Sequence, residues 1–267
     1  MDLTDAHVLI TGASRGIGAA TAKEFADAGA RLTLAARDRA RLETVAEPIG
    51  AAVVPVDLTD AAARGELITD AVAANGPVDV LVNNAGVDES GAFWEMDQES
   101  IDRLVTLNIV AVMDLTRRVL PSMIEREGGH IIFVSSMASV AALPGLTAYS
   151  ATKAAVSMFA TGLRADLKGL PIGLTTIMPG FVEPTDMADA IMEYRPASAA
   201  RSRLRRLGIL PDVDRDRLAR TIVRAVRSDR KVVIRPRRGV TSAGLVEVPR
   251  RLVSSLLRGV APRTGSE

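Results

Sequence analysis

Tyr149 and Lys153, within the segment YSATK, are the pair of residues in this sequence most suited to proton chemistry. Their spacing of four at the start of a predicted helix places both side chains on one face, within reach of a common ligand. A free tyrosine has a pKa of about 10, and a nearby ammonium favours the phenolate, so the lysine could tune the phenol for acid–base work. The same spacing also fits a helix with one buried ring and one solvated ammonium, so the pair needs support from its surroundings.

A glycine-rich turn near the start of the chain is the next candidate. The segment TGASRGIG joins a predicted strand, HVLIT, to a helix predicted from about Gly16 to Ala28. Gly12, Gly16 and Gly18 permit a tight turn and a close backbone approach, and the helix would present free N–H groups to a phosphate. The turn therefore indicates a dinucleotide site, although an ordinary turn between strand and helix would use glycines in the same way.

The end of the second predicted strand indicates which dinucleotide binds. An acidic residue there suits the adenosine ribose of NAD, whereas an arginine suits the 2′-phosphate of NADP. The strand RLTLAA is followed by Arg37, and Arg15 from the glycine turn is available beside it. We therefore predict NADP(H), with NAD less favoured. The simpler interpretation is that Arg37 only begins a solvated helical segment, as we expect of Arg39 and Arg41.

Short apolar runs alternate with longer helical patterns through most of the chain. The predicted strands are HVLIT, RLTLAA, AVVPVD, VDVLVNN, GHIIFVSS, IGLTTIMPG and KVVIRP. Such alternation predicts an α/β fold, a doubly wound parallel sheet with helices on both faces, in a single domain. Ligands bind these sheets at the carboxyl ends of the strands. The polar and glycine clusters all follow strands: TGASRGIG, AARD, VDLTD, NNAG, SSMAS and PGFVEP.

Six motifs together resemble the short-chain dehydrogenase/reductase family over about residues 5–185. They are TGASRGIG, NNAG at 83–86, Asn108, Ser136, YSATK and PG at 179–180. Their joint order and spacing are far more specific than any one of them. The resemblance implies a Rossmann fold and an NAD(P)-dependent oxidoreductase that interconverts a carbonyl and an alcohol.

The resemblance also implies roles for four catalytic residues. Tyr149 would be the general acid for carbonyl reduction, or the base for alcohol oxidation, and Ser136 would hydrogen-bond the substrate oxygen. Lys153 would bind the nicotinamide ribose and lower the tyrosine pKa, while Asn108 would position a water in a proton relay with Lys153. Of the two adjacent serines, the spacing of 13 residues before Tyr149 selects Ser136, and we expect Ser135 to be structural.

The cofactor site implied by the resemblance runs along several strand ends. Asp57 and Leu58 would lie beside the adenine, and Ile17 on the nicotinamide side. The full set of expected cofactor residues is Gly12, Ser14, Arg15, Gly16, Ile17, Gly18, Arg37, Asp57, Leu58, Asn84, Ala85, Gly86, Tyr149, Lys153, Pro179, Gly180 and Val182. Pro184 stands where the family usually has a threonine, so the neighbouring Thr185 is not assigned as a cofactor ligand.

Composition excludes several other kinds of site. The 267 residues include no cysteine, so the chain has no disulfide, thiolate zinc site or cysteine nucleophile. The two histidines, His7 and His130, are expected beside strands, and we predict no metal site. Aromatic residues make up 3% of the chain, which argues against nucleic-acid binding by base stacking. The start lacks the basic region of a signal peptide, and we predict a cytoplasmic protein without a transmembrane span.

Charge is distributed unevenly along the chain. Residues 195–267 hold 19 Lys and Arg against 6 Asp and Glu, a net +13, whereas residues 1–194 carry −12. We expect an oxidoreductase domain over residues 1–240, with a substrate lid at about 183–213, and a basic amphipathic tail over residues 241–267. Arginines and leucines in the tail could contact an anionic membrane surface, but an acidic face within an oligomer is the favoured partner.

The predicted partners are a small molecule and further copies of the chain. Apolar residues beyond Val182 and in earlier loops suggest a pocket for a bulky hydrophobic carbonyl or alcohol. They are Phe93, Trp94, Met137, Val140, Leu143, Leu146, Met187, Ile191, Met192 and Tyr194. The predicted helices at about 100–126 and 148–168 are apolar on more than one face, and family resemblance then implies a homodimer or homotetramer.

Two alternatives to a general carbonyl reductase remain open. One is a 3-oxoacyl carrier-protein reductase, for which a basic surface near the pocket would attract an acidic carrier. The other is a nucleotide-binding regulatory protein that keeps the fold and performs no turnover. The complete set of Asn108, Ser136, Tyr149 and Lys153 argues against the second, because a sensor has no chemical need for a tuned phenol.

Overall fold

The computed structural model describes residues 1–141, 143–208 and 210–236, without the side chains of residues 188–190 and 192. Its strands are β1 (His7–Thr11), β2 (Arg31–Ala36), β3 (Ala52–Pro55), β4 (Val80–Asn83), β5 (Gly129–Val134), β6 (Ile172–Pro179), β7 (Val182–Glu183), β8 (Val213–Asp214) and β9 (Val232–Arg235). Seven of them form a parallel sheet in the order β3-β2-β1-β4-β5-β6-β9, and β7 pairs with β8 in a short parallel ribbon. The predicted doubly wound parallel sheet is confirmed.

Helices cover both faces of the sheet. They are α1 (Gly16–Ala26), α2 (Arg39–Ala46), α3 (Ala61–Asn75), α4 (Gln98–Val105), α5 (Ala111–Glu125), α6 (Thr147–Asp166), α7 (Asp186–Glu193), α8 (Arg195–Arg206) and α9 (Arg215–Arg227). One apolar core lies between the sheet and α1, α2 and α9, and a second lies between the sheet and α3, α5 and α6. Because both faces are covered, the inner strands read as continuous apolar runs, and every residue of β1 and β4 is buried.

The strands run parallel, so their carboxyl ends share one edge of the sheet. The turn after β1, the segment after β4 and the loop after β5 therefore meet there, although they are far apart in sequence. The order reverses between β1 and β4, because the chain builds outward to β3 before it returns. That reversal leaves a crevice at the carboxyl edge, as the predicted architecture requires.

The basic segment that begins at residue 195 belongs largely to the fold. Helix α9 buries Leu218, Ile222 and Val226 against the sheet, while its arginines point outward. Strand β9 then extends the sheet beside β6. Residues 215–235 therefore complete the core with an amphipathic helix and an edge strand, and that strand lies within the predicted strand KVVIRP. The predicted tail, residues 241–267, lies outside the described residues.

No helix in the described ranges is long and apolar enough to cross a membrane. The segment 131–152 lacks formal charge. It comprises most of β5, the loop that follows β5 at the carboxyl edge of the sheet, and the start of α6. His7 and His130 lie buried within strands, where their ring nitrogens bond to the hydroxyls of Thr33 and Thr175, each at 2.8 Å. Both histidines are thus polar neighbours within the sheet, as predicted.

Candidate functional site

A cleft of about 830 Å³ opens at the carboxyl edge of the sheet. It is lined by residues from the glycine turn, the ends of β2 to β6, and helices α6, α7 and α8. The predicted site residues along it are Gly12, Ser14, Arg15, Gly16, Ile17, Arg37, Asp57, Leu58, Asn84, Ala85, Gly86, Ser136, Tyr149, Lys153, Pro179, Gly180 and Val182. Gly18 and Asn108 lie just behind this lining and support it.

The glycine turn packs tightly against the segment after β4. Gly12 has a φ of +65°, and a Cβ there would lie 2.8 Å from the Cα of Ala85, so a larger residue would displace the turn. A Cβ on Gly18 would lie 2.3 Å from the carbonyl oxygen of Gly12. Asn84 holds the same turn, since its side-chain amide donates to the carbonyls of Thr11 and Gly12 at 2.9 and 3.1 Å. Gly18 and the Asn84 side chain therefore shape the cleft.

Helix α1 begins at the cleft with its N–H groups uncapped by any side chain. Arg15 occupies the N-cap position without a capping hydrogen bond, and the first turn carries no acidic residue. The positive end of the helix dipole and the free N–H groups are therefore available to an anion. This arrangement fits the pyrophosphate of a dinucleotide.

Two arginines after β2 border the cleft. Arg37 is exposed there, and Arg41, which is exposed as expected of a solvated charge, also lines the cleft. Asp38 lies between them in sequence and borders the cleft as well, but its carboxylate caps α2 through the Arg41 backbone N–H at 3.0 Å. It also pairs with the Arg41 side chain at 3.3 Å. Arg15, on the opposite side, forms an ion pair with Asp186 of α7.

Tyr149 and Lys153 lie one turn apart on α6 and are both buried. The Lys153 ammonium donates to the backbone carbonyl of Val134 at 3.0 Å and lies 5.8 Å from the centre of the Tyr149 ring. Ser136 follows β5 and borders the cleft beside the phenol. Met187 of α7 covers the phenol, with 4.0 Å between its sulfur and the phenolic oxygen. The three groups expected to handle a carbonyl oxygen and a proton thus share one pocket.

Burial sets the protonation of the pair. It raises the pKa of Tyr149 above its ordinary value, and the charge of Asp88 adds to that rise, while the Ser136 hydroxyl opposes it. Burial also lowers the pKa of Lys153 to about 8, against the opposing attraction of Asp88. The sequence predicted that Lys153 would lower the pKa of Tyr149, whereas in the structure the effect of burial is larger and the pKa is raised. A phenol in this environment keeps its proton at neutral pH.

Asn108 lies in a π-helical segment, Thr106–Val110, that joins α4 to α5, and it is fully buried. Its amide exchanges two hydrogen bonds with the backbone of Val87, both at 2.9 Å, and donates to Thr152 of α6 at 3.0 Å. A Cβ on Gly86 would lie 3.0 Å from the Asn108 carbonyl oxygen and 3.2 Å from the Lys153 nitrogen. Asn108 therefore fixes the strand exit beside the lysine. Irregular turns of this kind often mark functional positions in helices.

Ser135 is structural, as expected. Its hydroxyl donates to the carbonyl of Lys153 at 2.9 Å and bonds to Ser157 at 2.8 Å, which ties β5 to α6. Thr185 also borders the cleft, but its hydroxyl donates to the carbonyl of Val182 at 2.8 Å.

The end of the cleft under α7 and α8 is apolar. Its walls include Val87, Leu107, Met137, Leu143, Leu146, Phe181, Met187, Ile191, Leu204 and Leu210. Phe93 and Trp94, predicted for this pocket, are 51% and 84% exposed and lie outside it, because their short helical turn faces solvent. Tyr194 packs against Gly145 behind the wall, and the side chain of Met192 lies outside the described set.

A buried arginine holds in place α8, which with α7 forms the cover over the apolar end of the cleft. Arg201 of α8 forms ion pairs with Glu183 and with Asp212, the latter at 2.7 Å, and stacks on the Phe181 ring at 4.7 Å. These contacts link α8 to the β7–β8 ribbon. Sequence reasoning missed this residue, since no periodic pattern distinguishes it from the other arginines of α8.

Asp88 is the second residue that sequence reasoning missed. It lies two residues beyond the NNAG motif, borders the cleft, and has one carboxylate oxygen that is buried. Burial raises its pKa to about 6, against the opposing effects of its own backbone N–H and of Lys153. A single acidic residue after a recognised motif carried no signal that could have found it.

The fold and this cleft define an oxidoreductase that binds a nicotinamide dinucleotide. A sequence model of the family described as short chain dehydrogenase matches residues 6–195. The chain belongs to the short-chain dehydrogenase/reductase family, whose members are NAD(P)-dependent oxidoreductases.

Two relatives illustrate the similarity in sequence. The chain is 45% identical over 177 residues to an uncharacterized short-chain type dehydrogenase/reductase, y4eK, of Sinorhizobium fredii, covering 66% of this chain and 69% of that protein. It is 35% identical over 244 residues to the probable oxidoreductase EphD of Mycobacterium tuberculosis, covering 87% of this chain. The chain spans 41% of the length of EphD.

Two solved structures illustrate the similarity in fold. A short-chain dehydrogenase from Sphingobium yanoikuyae in complex with NADPH has a TM-score of 0.78 and 30% identity, and the match covers 97% of this chain and 99% of that one. A short chain dehydrogenase/reductase from Burkholderia phymatum in complex with NAD also has a TM-score of 0.78, with 26% identity over 100% and 99% of the two chains. These neighbours therefore include complexes with both nicotinamide cofactors.

Proposed function

We propose that this chain uses NADPH to reduce the carbonyl group of hydrophobic substrates, with Tyr149 as the general acid. The observation that carries the proposal is the single cleft that joins an uncapped helix N-terminus to a buried phenol, hydroxyl and ammonium. The first feature fits a dinucleotide phosphate, and the second fits the oxygen of a carbonyl. The apolar walls beyond them fit a hydrophobic substrate.

The chain's own residues fit the cofactor along the whole cleft. The N–H groups at the start of α1 would hold the pyrophosphate, Asp57 and Leu58 the adenine, and Lys153 the nicotinamide ribose. Pro179, Gly180 and Val182 would border the nicotinamide ring. When bound, the cofactor supplies the hydride that reduces the carbonyl carbon.

The chain itself supplies the proton and the alignment. The Ser136 hydroxyl would donate to the substrate oxygen and hold it beside the Tyr149 phenol. As the carbonyl carbon gains a hydride, negative charge develops on that oxygen, and Tyr149 transfers its phenolic proton to it to give the alcohol. The raised pKa of Tyr149 keeps the phenol protonated at neutral pH, which is the form that a general acid needs for carbonyl reduction. Lys153 then neutralises the phenolate left behind, while the cover from α7 and α8 limits water.

Arginine placement supports NADP(H) over NAD. Arg37 is exposed at the cleft border after β2, and no ion pair engages it within the described residues. Arg41 lies one helical turn further on and Arg15 faces them from the glycine turn. The nearby Asp38 is engaged as a helix cap, so its charge is partly satisfied. A 2′-phosphate could therefore be clamped by guanidinium groups on two sides.

The direct test is a turnover panel. Purified protein is mixed with NADPH or NADH and with phenyl alkyl ketones, aliphatic ketones, aldehydes and acyl thioesters, and loss of the reduced cofactor is followed by absorbance. We expect turnover of bulky ketones with NADPH, at least about tenfold better in kcat/KM than with NADH. Cofactor binding without turnover across the panel would instead support the regulatory protein.

One observation favours a second candidate, a 3-oxoacyl carrier-protein reductase. Leu204 of α8 lines the cleft, and its neighbours Arg203, Arg205 and Arg206 are exposed on the same helix. A basic helix beside the cleft would attract an acidic carrier that delivers a thioester-bound chain. A higher kcat/KM for a carrier-bound 3-oxoacyl thioester than for the free thioester would support this candidate, and equal values would exclude it.

Self-association is part of the proposal, since apolar side chains remain exposed on the helices that flank the site. Those on α4, α6 and the helical stretch through α5 are Val105, Val110, Met113, Ile124 and Met158, with 38–51% of each exposed. A second copy of the chain would cover them, as in a homodimer or homotetramer. Sedimentation velocity should show an oligomer that the double variant Met113→Lys, Met158→Lys converts to a monomer, while a monomeric parent protein would contradict this point.

A further inference from the structure

Asp88 differs from the other carboxylates along the cleft. Four more acidic residues line it, and each has a partner: Asp38 with Arg41, Asp57 with Thr59, Glu89 with Arg103, and Asp186 with Arg15. The Oδ2 atom of Asp88 is buried and accepts no hydrogen bond from the described residues. The Lys153 ammonium, whose charge acts on Asp88, donates its hydrogen bond to the carbonyl of Val134 instead. Asp88 therefore presents a free acceptor in a largely enclosed place.

The position of Asp88 is close to the reacting groups. It follows Gly86 and Val87, and the Gly86 site lies within van der Waals range of both Asn108 and Lys153. Its negative charge contributes an upward shift to the pKa of both Tyr149 and Lys153, although burial lowers the pKa of Lys153 overall. Asn108 fixes the backbone of Val87 through two hydrogen bonds, so the neighbouring Asp88 is attached to a rigid support.

No donor among the described residues reaches the Asp88 Oδ2 atom. The lining of the cleft includes the apolar residues Val87, which precedes Asp88, Leu107, Met137 and Met187. A carboxylate withdrawn from water without a donor is costly, and it is tolerated in a binding cleft where the ligand brings the donor. A site with a fixed acceptor also discriminates strongly, because an analogue that lacks the donor leaves the acceptor unpaired.

We propose that Asp88 recognises a hydrogen-bond donor on the substrate, so that the favoured substrates are apolar ketones with a hydroxyl or an ammonium group close to the carbonyl. The inference rests on the proposed carbonyl reduction and names its substrate class. In the complex, the substrate oxygen lies between Ser136 and Tyr149, and the second polar group donates to the Asp88 carboxylate.

The test uses matched pairs of phenyl ketones that differ only in the donor. For the hydroxyl, 2-hydroxyacetophenone is compared with propiophenone, and 2-methoxyacetophenone controls for electronic activation of the carbonyl. For the ammonium, 3-aminopropiophenone is compared with butyrophenone. We expect the parent protein to favour at least one donor-bearing ketone over its partner by at least about tenfold in kcat/KM. The two pairs distinguish a hydroxyl from an ammonium as the donor.

The variants assign the preference to Asp88. In Asp88→Leu the preference should fall to within about threefold, because only the donor-bearing ketone loses a hydrogen bond. The ratio of the two kcat/KM values is the readout, since any change in the pKa of Tyr149 or Lys153 affects both ketones alike. Glu89→Gln is the matched control, since it removes a neighbouring carboxylate that already has a partner, and it should keep the preference. The dissociation constant of NADPH should be unchanged in Asp88→Leu.

Four results would overturn the inference, and they are distinguishable. Equal turnover of donor-bearing and donor-free ketones by the parent protein would contradict it and leave carbonyl reduction intact. A preference that survives in Asp88→Leu would show that another residue recognises the donor. A loss of NADPH binding in that variant would show that Asp88 serves the cofactor site. Failure to reduce any ketone of the panel would contradict the proposed function, and the inference with it.

Discussion

The ammonium of Lys153 donates a hydrogen bond to the backbone carbonyl of Val134, with 3.0 Å between nitrogen and oxygen. This bond fixes the lysine of α6 to the end of β5, one residue before the Ser135–Ser136 pair. Ser135 in turn donates to the carbonyl of Lys153. The strand that carries Ser136 and the helix that carries Tyr149 are therefore joined at two points, which sets the geometry of the proposed catalytic groups.

The first prediction concerns the choice of cofactor. Arg37→Asp should raise the KM for NADPH by roughly 10- to 100-fold and leave the KM for NADH within about threefold, because it replaces a phosphate-binding charge by a repulsive one. Steady-state kinetics with each cofactor measure the effect. Arg39→Asp is the control, since Arg39 lies on α2 with its side chain 65% exposed, beside Glu43. A preference for NADPH that survives Arg37→Asp would show that another residue selects the cofactor.

The second prediction concerns the cover of the cleft. Arg201→Met should destabilise the protein by about 1–3 kcal/mol, because it leaves Asp212 and Glu183 without their buried cation. Urea unfolding measures the change. Arg205→Met is the matched control: Arg205 also pairs with Asp212, at 3.2 Å, but its side chain is 65% exposed, so the loss should stay below about 1 kcal/mol. Equal losses in the two variants would contradict the special role of Arg201.

The third prediction concerns the pH dependence of stability. The pKa of Asp88 is raised to about 6 in the folded protein, so folding favours its protonated form, and stability is lost as the pH rises from about 4 through 6. The free energy of unfolding of Asp88→Asn should therefore exceed that of the parent by about 1–3 kcal/mol at pH 7, and the difference should vanish near pH 4.

Denaturant titrations at the two pH values measure this difference, with the exposed Glu99→Gln as control. A variant that is less stable than the parent at pH 7 would mean that the Asp88 carboxylate has a partner in the folded protein. Greater stability of Asp88→Asn, together with the loss of substrate preference in Asp88→Leu, is expected of a residue that serves binding at a cost in stability.

Sequence patterns predicted the sheet and most of the cleft, because both depend on local signals. Apolar runs fix the strands, and glycines and polar residues at their ends fix the turns that line the site. The predicted strand RLTLAA, for example, is β2 from Arg31 to Ala36. The glycine turn, the NNAG segment and the start of α6 all lie at the carboxyl edge of the sheet, because the parallel strands run in the same direction.

Features that depend on contacts between distant segments could not be predicted from the sequence. Whether Arg201, Arg203 or Arg205 becomes the buried arginine depends on where α8 meets Glu183 and Asp212. The raised pKa of Tyr149 follows from burial under α7, which a count of neighbouring charges does not reveal. Phe93 and Trp94 looked suited to a pocket because they are aromatic, yet their turn faces solvent.

The central claim is that the Tyr149 phenol transfers the proton, and Tyr149→Phe tests it most directly. Tyr194→Phe is the control, since it alters the other tyrosine of the chain, which packs against Gly145. Ketone reduction with NADPH and the dissociation constant of NADPH are measured in both variants. In Tyr149→Phe we expect kcat/KM to fall by roughly 10²- to 10⁴-fold with NADPH affinity retained, and in Tyr194→Phe a change of less than about tenfold. Turnover by Tyr149→Phe at the parent rate would contradict the account.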